Sequence, residues 1–175
     1  MSMLKAENHW VLVDYPLSQQ AVVEAANQQL QYQWWYADTA LQDALEVSPL
    51  WVKVTNAQQA FKQDFPQAPA FITTADDEQF IQHIKSLCLM RNPNGKPFVI
   101  RFYEPDYLTK WVAKLSQERL AELLGPIEQI DWFYSGKEQT LRNPSPQNSP
   151  SKNDIAWFQL TESEWTMLTH AFNPS

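Results

Sequence analysis

The sequence has 175 residues, 44% hydrophobic and 13% aromatic, a composition that suits one compact domain with a sizeable core. Lys and Arg number 13 against 20 Asp and Glu, and the formal net charge of -7 disfavours nucleic acid and anionic membranes as partners, because both are bound mainly by basic residues. The one cysteine, Cys88, excludes an intrachain disulfide and a cysteine-rich metal site.

The N-terminal segment and the cysteine content together predict a cytoplasmic protein. Residues 1–10 lack the apolar region and the small-residue cleavage site of a secretory signal. No uncharged run approaches the roughly 20 residues that a bilayer-spanning helix needs. A single free cysteine also suits a reducing compartment.

Strands and helices alternate in the first part of the chain. Short runs of β-branched and aromatic residues predict strands at 9–15, 32–36, 50–54 and 70–73. Apolar residues at helical spacing predict the intervening helices, which begin at Ser18, Thr39 and Asn56, with Ser18 and Asn56 as candidate N-caps.

The middle of the chain carries two local signals. The spacing of Thr74 and Asp77 is that of a capping box, and it predicts a helix that ends by Ser86. The dipeptide Asn94-Gly95 is typical of a hairpin turn. We therefore expect the segments 87–91 and 96–103 to pair as strands.

The C-terminal part continues the alternation. Helices are predicted from Pro105, at the first helical position, and from Ser116, as N-cap; Gly125-Pro126 predicts the end of the second helix. The remaining predictions are a strand at 127–134, a flexible surface loop at 136–153, a strand at 155–160, and a last helix that begins at a capping box over 161–164.

This order of elements predicts an α/β fold, a mixed sheet with flanking helices, with α+β as the alternative class. The prediction for domain organisation is one domain over residues 1–175. The alternative is two small lobes, 1–103 and 104–175.

Known catalytic and cofactor motifs do not occur in the sequence. The three histidines form no zinc-hydrolase motif, and three glycines are too few for a phosphate-binding loop or a dinucleotide fingerprint. We therefore expect no cofactor, no metal site and no enzymatic activity. The enzyme alternative is a dispersed site that uses Cys88 and His83, although Cys88 lies among apolar residues, as a core thiol does.

Arg101 is the most informative charged residue, because it lies inside an apolar segment where a lone charge is unfavourable. One interpretation pairs Arg101 with a structural carboxylate, and the candidates are Glu104, Asp106 and Asp38. The other has its guanidinium bind a carboxylate of a partner protein.

The segment around Arg101 resembles a known family. Residues Arg101-Phe102-Tyr103-Glu104-Pro105, followed by Gly125-Pro126, are similar to the Arg-Phe-Tyr-Asp-Pro signature and the later Gly-Pro of the type VI secretion effector chaperones, the Tap/TEC adaptors. Looser agreement extends over residues 9–172 and includes Asp14 after the first strand. Glu104 stands where the family usually has Asp.

The resemblance implies a cytoplasmic adaptor that binds a secreted effector protein and loads it onto the VgrG spike protein. The same small, acidic and aromatic-rich chain also suits the alternative, an immunity protein that neutralises a cognate toxin. Aromatic residues and Arg are enriched where proteins bind each other. The candidate partner-binding residues are Trp34, Trp35, Arg101 and Tyr103.

Overall fold

The computed structural model describes residues 6–55, 60–147 and 156–172, and it is built around one six-stranded sheet. The strand order is β2-β3-β1-β4-β7-β8. These strands are β1 (Asn8–Val13), β2 (Tyr32–Trp34), β3 (Leu50–Val54), β4 (Ala70–Thr73), β7 (Gln129–Tyr134) and β8 (Lys137–Arg142). The short strands β5 (Met90–Arg91) and β6 (Pro97–Phe98) form a separate hairpin.

Six α-helices flank the sheet in the described residues. They are α1 (Leu17–Asn27), α2 (Ala60–Asp64), α3 (Asp77–Ser86), α4 (Pro105–Lys110), α5 (Gln117–Leu124) and α6 (Glu162–Phe172). Two 3-10 helices, Gln42–Val47 and Val112–Lys114, complete the helical part. The predicted α/β class, with helices packed on a sheet, is confirmed.

The sheet has an apolar cluster on each face, because side chains alternate along every strand. Trp10, Leu12 and Trp51 belong to the larger cluster, which α3, α4, α5 and α6 cover. Val11 and Val52 belong to the smaller cluster, which α1 and α2 cover. Strand β1 thus runs through the centre of the molecule with both faces buried.

The strand directions differ from the expected mixed sheet. All strand pairs in the described residues are antiparallel; the parallel contact among them is an isolated bridge between Arg91 and Gln159. Alternating strands and helices favour parallel pairs. Between β1 and β3 the chain passes through α1 and β2, and β3 then runs antiparallel to β1.

Several local predictions are confirmed. Strand β3 and strand β4 have the predicted bounds, α3 ends at Ser86, and Ser116 accepts the Arg119 backbone N–H as the N-cap of α5. The last helix begins at the predicted capping box: the Thr161 N–H donates to Glu164 Oε1 over 2.9 Å and the Glu164 N–H donates to Thr161 Oγ1 over 3.1 Å.

Two predicted N-caps are wrong. Helix α1 starts at Leu17 after Pro16, and Ser18 is a buried residue inside the helix. Helix α3 is capped by Asp76, which accepts the Gln79 N–H, and the Thr74 N–H instead donates to Glu128. Asn56, another predicted N-cap, lies outside the described residues.

The predicted loop at 136–153 is wrong for its first part, because residues Lys137–Arg142 form the edge strand β8. Ser135 and Gly136 have φ angles of 52° and 76° and make the two-residue turn that joins β7 to β8. The strand is polar since it is largely exposed at the edge. Residues 148–153 lie outside the described part of the chain.

Two predicted strands are also corrected. The strand predicted at 96–103 is limited to Pro97–Phe98, because the Phe102 N–H donates to the Ile100 carbonyl over 2.8 Å and turns the backbone. At 155–160 the described residues hold no strand, although Gln159 bridges Arg91. Strand β7 of the alternative second lobe pairs with β4 of the first, and the division into lobes stays a prediction.

Candidate functional site

Arg101 lies at the centre of an ion-pair cluster between β1 and α4, which we call the Arg101 cluster: Asp14, Arg101, Tyr103 and Glu104. Nη2 of Arg101 pairs with Asp14, and Nε lies 3.2 Å from Glu104 Oε1. The same Nε donates to the Tyr103 hydroxyl over 3.2 Å, and that hydroxyl donates to Asp14 Oδ1 over 3.3 Å. The cluster joins residues 87 positions apart.

The turn at residues 100–104 places these side chains. Phe102 is fully buried and packs edge-on against Trp35, so it fixes the turn to the core. Its neighbour Arg101 therefore points outward and is about half exposed. The Glu104 N–H donates to the Arg101 carbonyl over 3.1 Å, and Pro105 then starts α4 at the position that best accepts proline.

Tyr103 is the most deeply buried member of the cluster, and Arg101 offsets the burial of the Glu104 carboxyl only in part. Burial, reinforced by the Asp14 carboxylate, raises the pKa of Tyr103 far above its usual range, so its hydroxyl keeps its proton. Burial also raises the pKa of Glu104, although Arg101 opposes that effect. The Arg101 cluster therefore carries carboxylates that the single guanidinium does not fully compensate.

An open apolar groove of about 300 Å³ borders the Arg101 cluster. One side is the end of β1 and the start of α1, including Tyr15 and Leu17, which are 44% and 54% exposed. Another side is the loop after α2, with the buried Phe65 and the exposed Pro66, and Tyr103 and Pro105 form the third. We call this surface the β1–α1 groove.

The structure places Trp34 and Trp35 differently. Trp35 is 2% exposed, lies 5.1 Å from the Tyr103 ring, and donates from Nε1 to the Ile84 carbonyl over 2.7 Å. Trp35 therefore supports the Arg101 cluster from the core. Trp34 is half-buried in β2 and packs against the smaller apolar cluster. Partner contact by Trp34, Trp35, Arg101 and Tyr103 stays a prediction.

The interpretation of Arg101 as the partner of a structural carboxylate applies to Glu104, whose pairing is confirmed. Asp106 and Asp38 make no ion pair with Arg101 in the structure, and Asp14 takes that place. Only the family resemblance pointed to Asp14. Its pairing with Arg101 depends on the sheet topology, so no local pattern predicts it.

Gly125 and Pro126 belong to a different place, at the end of α5. Gly125 has a φ of 51°, and a Cβ atom there would lie 2.6 Å from His83 Cε1. A side chain at position 125 is therefore excluded both by the backbone conformation and by the His83 ring. The Pro126 carbonyl accepts the Thr73 hydroxyl over 2.7 Å and ties this corner to β4.

His83 and Cys88 are both core residues. His83 is fully buried, and Nε2 donates to the Leu123 carbonyl over 2.8 Å. Burial lowers the pKa of His83 to about 4, and burial raises the pKa of the Cys88 thiol. Both pKa shifts favour the neutral form, that is, a neutral imidazole and a neutral thiol. A cysteine nucleophile instead requires the thiolate.

Sequence reasoning missed Arg119, whose side chain organises the C-terminal part. Its guanidinium binds both carboxylate oxygens of Glu164, over 2.8 Å and 3.0 Å, and donates to the Gln159 carbonyl over 2.7 Å. It also lies 4.2 Å from the Phe158 ring centroid. The sequence indicated Glu164 through its capping box, but it gave no sign of the basic partner.

The described ranges, 6–55, 60–147 and 156–172, contain neither a candidate metal site nor a candidate membrane span. No group of three or more His, Cys, Asp or Glu side chains is arranged to hold a metal ion there. No helix there combines the length and apolar character needed to cross a bilayer.

Comparison with known proteins gives a family. A search of the curated proteins and of the solved structures found no significant match to this chain. A family profile described as "Domain of unknown function (DUF4123)" matches residues 9–122, a range that contains every residue of the Arg101 cluster. Because this match covers more than half of the sequence, the chain belongs to the DUF4123 family.

Proposed function

We propose that this protein is a non-enzymatic adaptor of the cytoplasm, which binds a type VI secretion effector and helps to load it onto the VgrG spike protein. The family match carries the proposal, since DUF4123 is generally linked to type VI secretion effector adaptors. The Arg101 cluster, which contains most of the signature that resembles those adaptors, lies inside the matched range.

The geometry supports a role in binding proteins. The β1–α1 groove is open and apolar, and the exposed Tyr15 and Leu17 extend it to the surface. Exposed apolar surface that is bordered by charged groups is typical of protein interfaces. The protonation states favoured at His83 and Cys88 also argue against a Cys–His nucleophile.

Affinity purification from the native host tests the adaptor function. We expect the tagged full-length chain to recover a large secreted toxin together with a VgrG protein. Deletion of the gene should reduce release of that toxin, while release of effectors that use other adaptors is unchanged. Recovery of neither a toxin nor a spike protein would contradict the proposal.

A neutralisation assay separates the adaptor from an immunity protein. The recovered toxin is expressed in a host that has no secretion system, with and without this protein. An adaptor is expected to leave killing unchanged once the toxin acts at its target. Full protection without any effect on toxin release would instead identify an immunity protein.

A further inference from the structure

The position of the β1–α1 groove restricts how a partner can bind there. The groove lies at the end of β1, an inner strand that pairs with β3 on one side and β4 on the other. A partner strand therefore has no free sheet edge to join at this place. Binding by strand addition requires such an edge.

The backbone of the groove wall also offers few free hydrogen-bonding groups. Four prolines, Pro16, Pro66, Pro69 and Pro105, line the groove, and proline has no N–H to donate. The Pro69 carbonyl accepts the Leu12 N–H over 3.0 Å, and the Asp14 carbonyl accepts the Ser18 N–H over 2.9 Å. We therefore expect recognition in the groove to rely mainly on side chains.

The charged side chains that line the groove are all acidic. Asp14, Asp64 and Glu104 line it, and no Lys, Arg or His is among the described lining residues. Arg101 pairs with Asp14 and Glu104. Asp64 is exposed and forms no ion pair within the described parts of the chain, so its carboxylate is open to a cation from outside.

We propose that the β1–α1 groove binds an apolar peptide segment of the effector that carries a Lys or Arg side chain at its border. The apolar side chains pack against Tyr15, Leu17 and Phe65, and the basic side chain lies beside Asp64. That the segment belongs to an effector rests on the proposed function, whereas its chemistry follows from the walls and the charge of the groove.

Peptide selection against the full-length chain tests this chemistry. Displayed random 16-residue peptides are selected, and the winners are synthesised and measured by fluorescence anisotropy. We expect winners with apolar residues next to Lys or Arg, and binding that weakens as salt is added. A selection that gives no binders, or binders with acidic borders, overturns the proposal.

Two pairs of variants locate the binding site. Leu17→Ser in the groove is matched by Val23→Ser, since Val23 is 55% exposed on the same helix but does not line the groove. Asp64→Lys is matched by Glu138→Lys, the same charge change on the exposed edge of β8. We expect the groove variants to bind the peptides at least about tenfold more weakly, which is about 1.4 kcal/mol, and the matched variants to bind normally. Equal binding by all four overturns the proposal.

Other outcomes separate this inference from the adaptor function. If Leu17→Ser and Asp64→Lys recover effector and spike protein as the wild type does, the groove chemistry fails and the adaptor function stands. If the peptides bind in the groove as expected but no effector is recovered from the host, the adaptor function fails. A concentration-dependent dimer that Leu17→Ser abolishes would assign the groove to a second copy of this chain and overturn the proposal.

Discussion

Arg101 and Arg119 are each paired with carboxylates and hydrogen-bonded to neighbouring groups, yet they serve different regions. The Arg101 cluster is partly open to water and borders the β1–α1 groove; the Arg101 side chain is 45% exposed. The Arg119 side chain is 22% exposed, and that of Glu164 is 9% exposed. Burial increases the free energy of unfolding that is lost when one charge of a pair is removed. The two regions should therefore respond very differently to the removal of one charged side chain.

The largest effect is expected from Glu164→Ala. The substitution removes both carboxylate contacts of Arg119 and the side-chain half of the capping box at Thr161. We expect the free energy of unfolding to fall by about 3 kcal/mol, since the pair is largely shielded from water and the guanidinium loses its main partner. Urea denaturation followed by tryptophan fluorescence measures this.

Glu122→Ala is the matched control on the same arginine. Glu122 makes one contact with Arg119, at 3.0 Å, and its side chain is 35% exposed. We expect a loss of at most about 1 kcal/mol. Equal losses for the two variants would mean that burial does not distinguish these ion pairs.

The second effect concerns pH and His83, which bonds α3 to α5, the helix that carries Arg119. Its pKa is about 4 in the folded protein against 6.5 ordinarily. Below pH 6.5 the imidazole of residue 83 binds a proton in the unfolded chain but stays neutral in the folded chain until the pH approaches 4. Its contribution to stability is therefore largest above pH 6.5 and falls as acid is added. Between about pH 6.5 and pH 5 we expect a loss of about 2 kcal/mol from this residue.

His83→Gln removes the titrating group while an amide can still donate to Leu123. Denaturant unfolding at a series of pH values should give a shallower decline for this variant than for the wild type. His9 has a lowered pKa as well, caused mainly by burial, and it contributes equally to both proteins. Parallel pH profiles for the two proteins would show that His83 is not the source of the decline.

The helix spacing and the caps of the Arg119 region could be read from sequence, because they depend on neighbours three or four residues apart. Ser116, Gly125 and the capping box at Thr161 and Glu164 are of this kind. The bond from Arg119 to Glu164 spans 45 positions and has no such local pattern.

In the Arg101 region the sequence indicated the important residues, but it did not predict their local backbone conformation. The family resemblance pointed to residues 101–105, but apolar alternation predicted a strand where the backbone turns. Leu17 is 54% exposed at the start of α1, whereas Ala21 and Ala25, at helical spacing further along the same helix, are buried. The groove was therefore invisible in the sequence, since its walls come from three separate segments.

A smaller effect on stability is expected from Arg101→Ala. Water can solvate Asp14 and Glu104 when the guanidinium is gone, so we expect the free energy of unfolding to fall by at most about 1 kcal/mol. Binding should respond more, because two groove-lining carboxylates lose the group that positions them. Recovery of effector in the affinity purification should drop, and Arg101→Lys should restore only part of it, since an ammonium lacks the planar fork. Full recovery by Arg101→Ala would mean that the Arg101 cluster does not shape the binding surface.

The smallest effect is expected from Tyr103→Phe, which removes one hydroxyl and keeps the ring against Trp35. The hydroxyl accepts from Arg101 and donates to Asp14, both over bonds longer than 3 Å, so we expect a loss of about 0.5 kcal/mol. A double-mutant cycle with Arg101→Ala tests whether the Tyr103 hydroxyl acts through Arg101. If the hydroxyl acts by holding Arg101 and Asp14 together, its removal should have almost no effect on stability once Arg101 is gone. An undiminished loss in the Arg101→Ala background would mean that the hydroxyl acts independently of Arg101, through its own bond to Asp14.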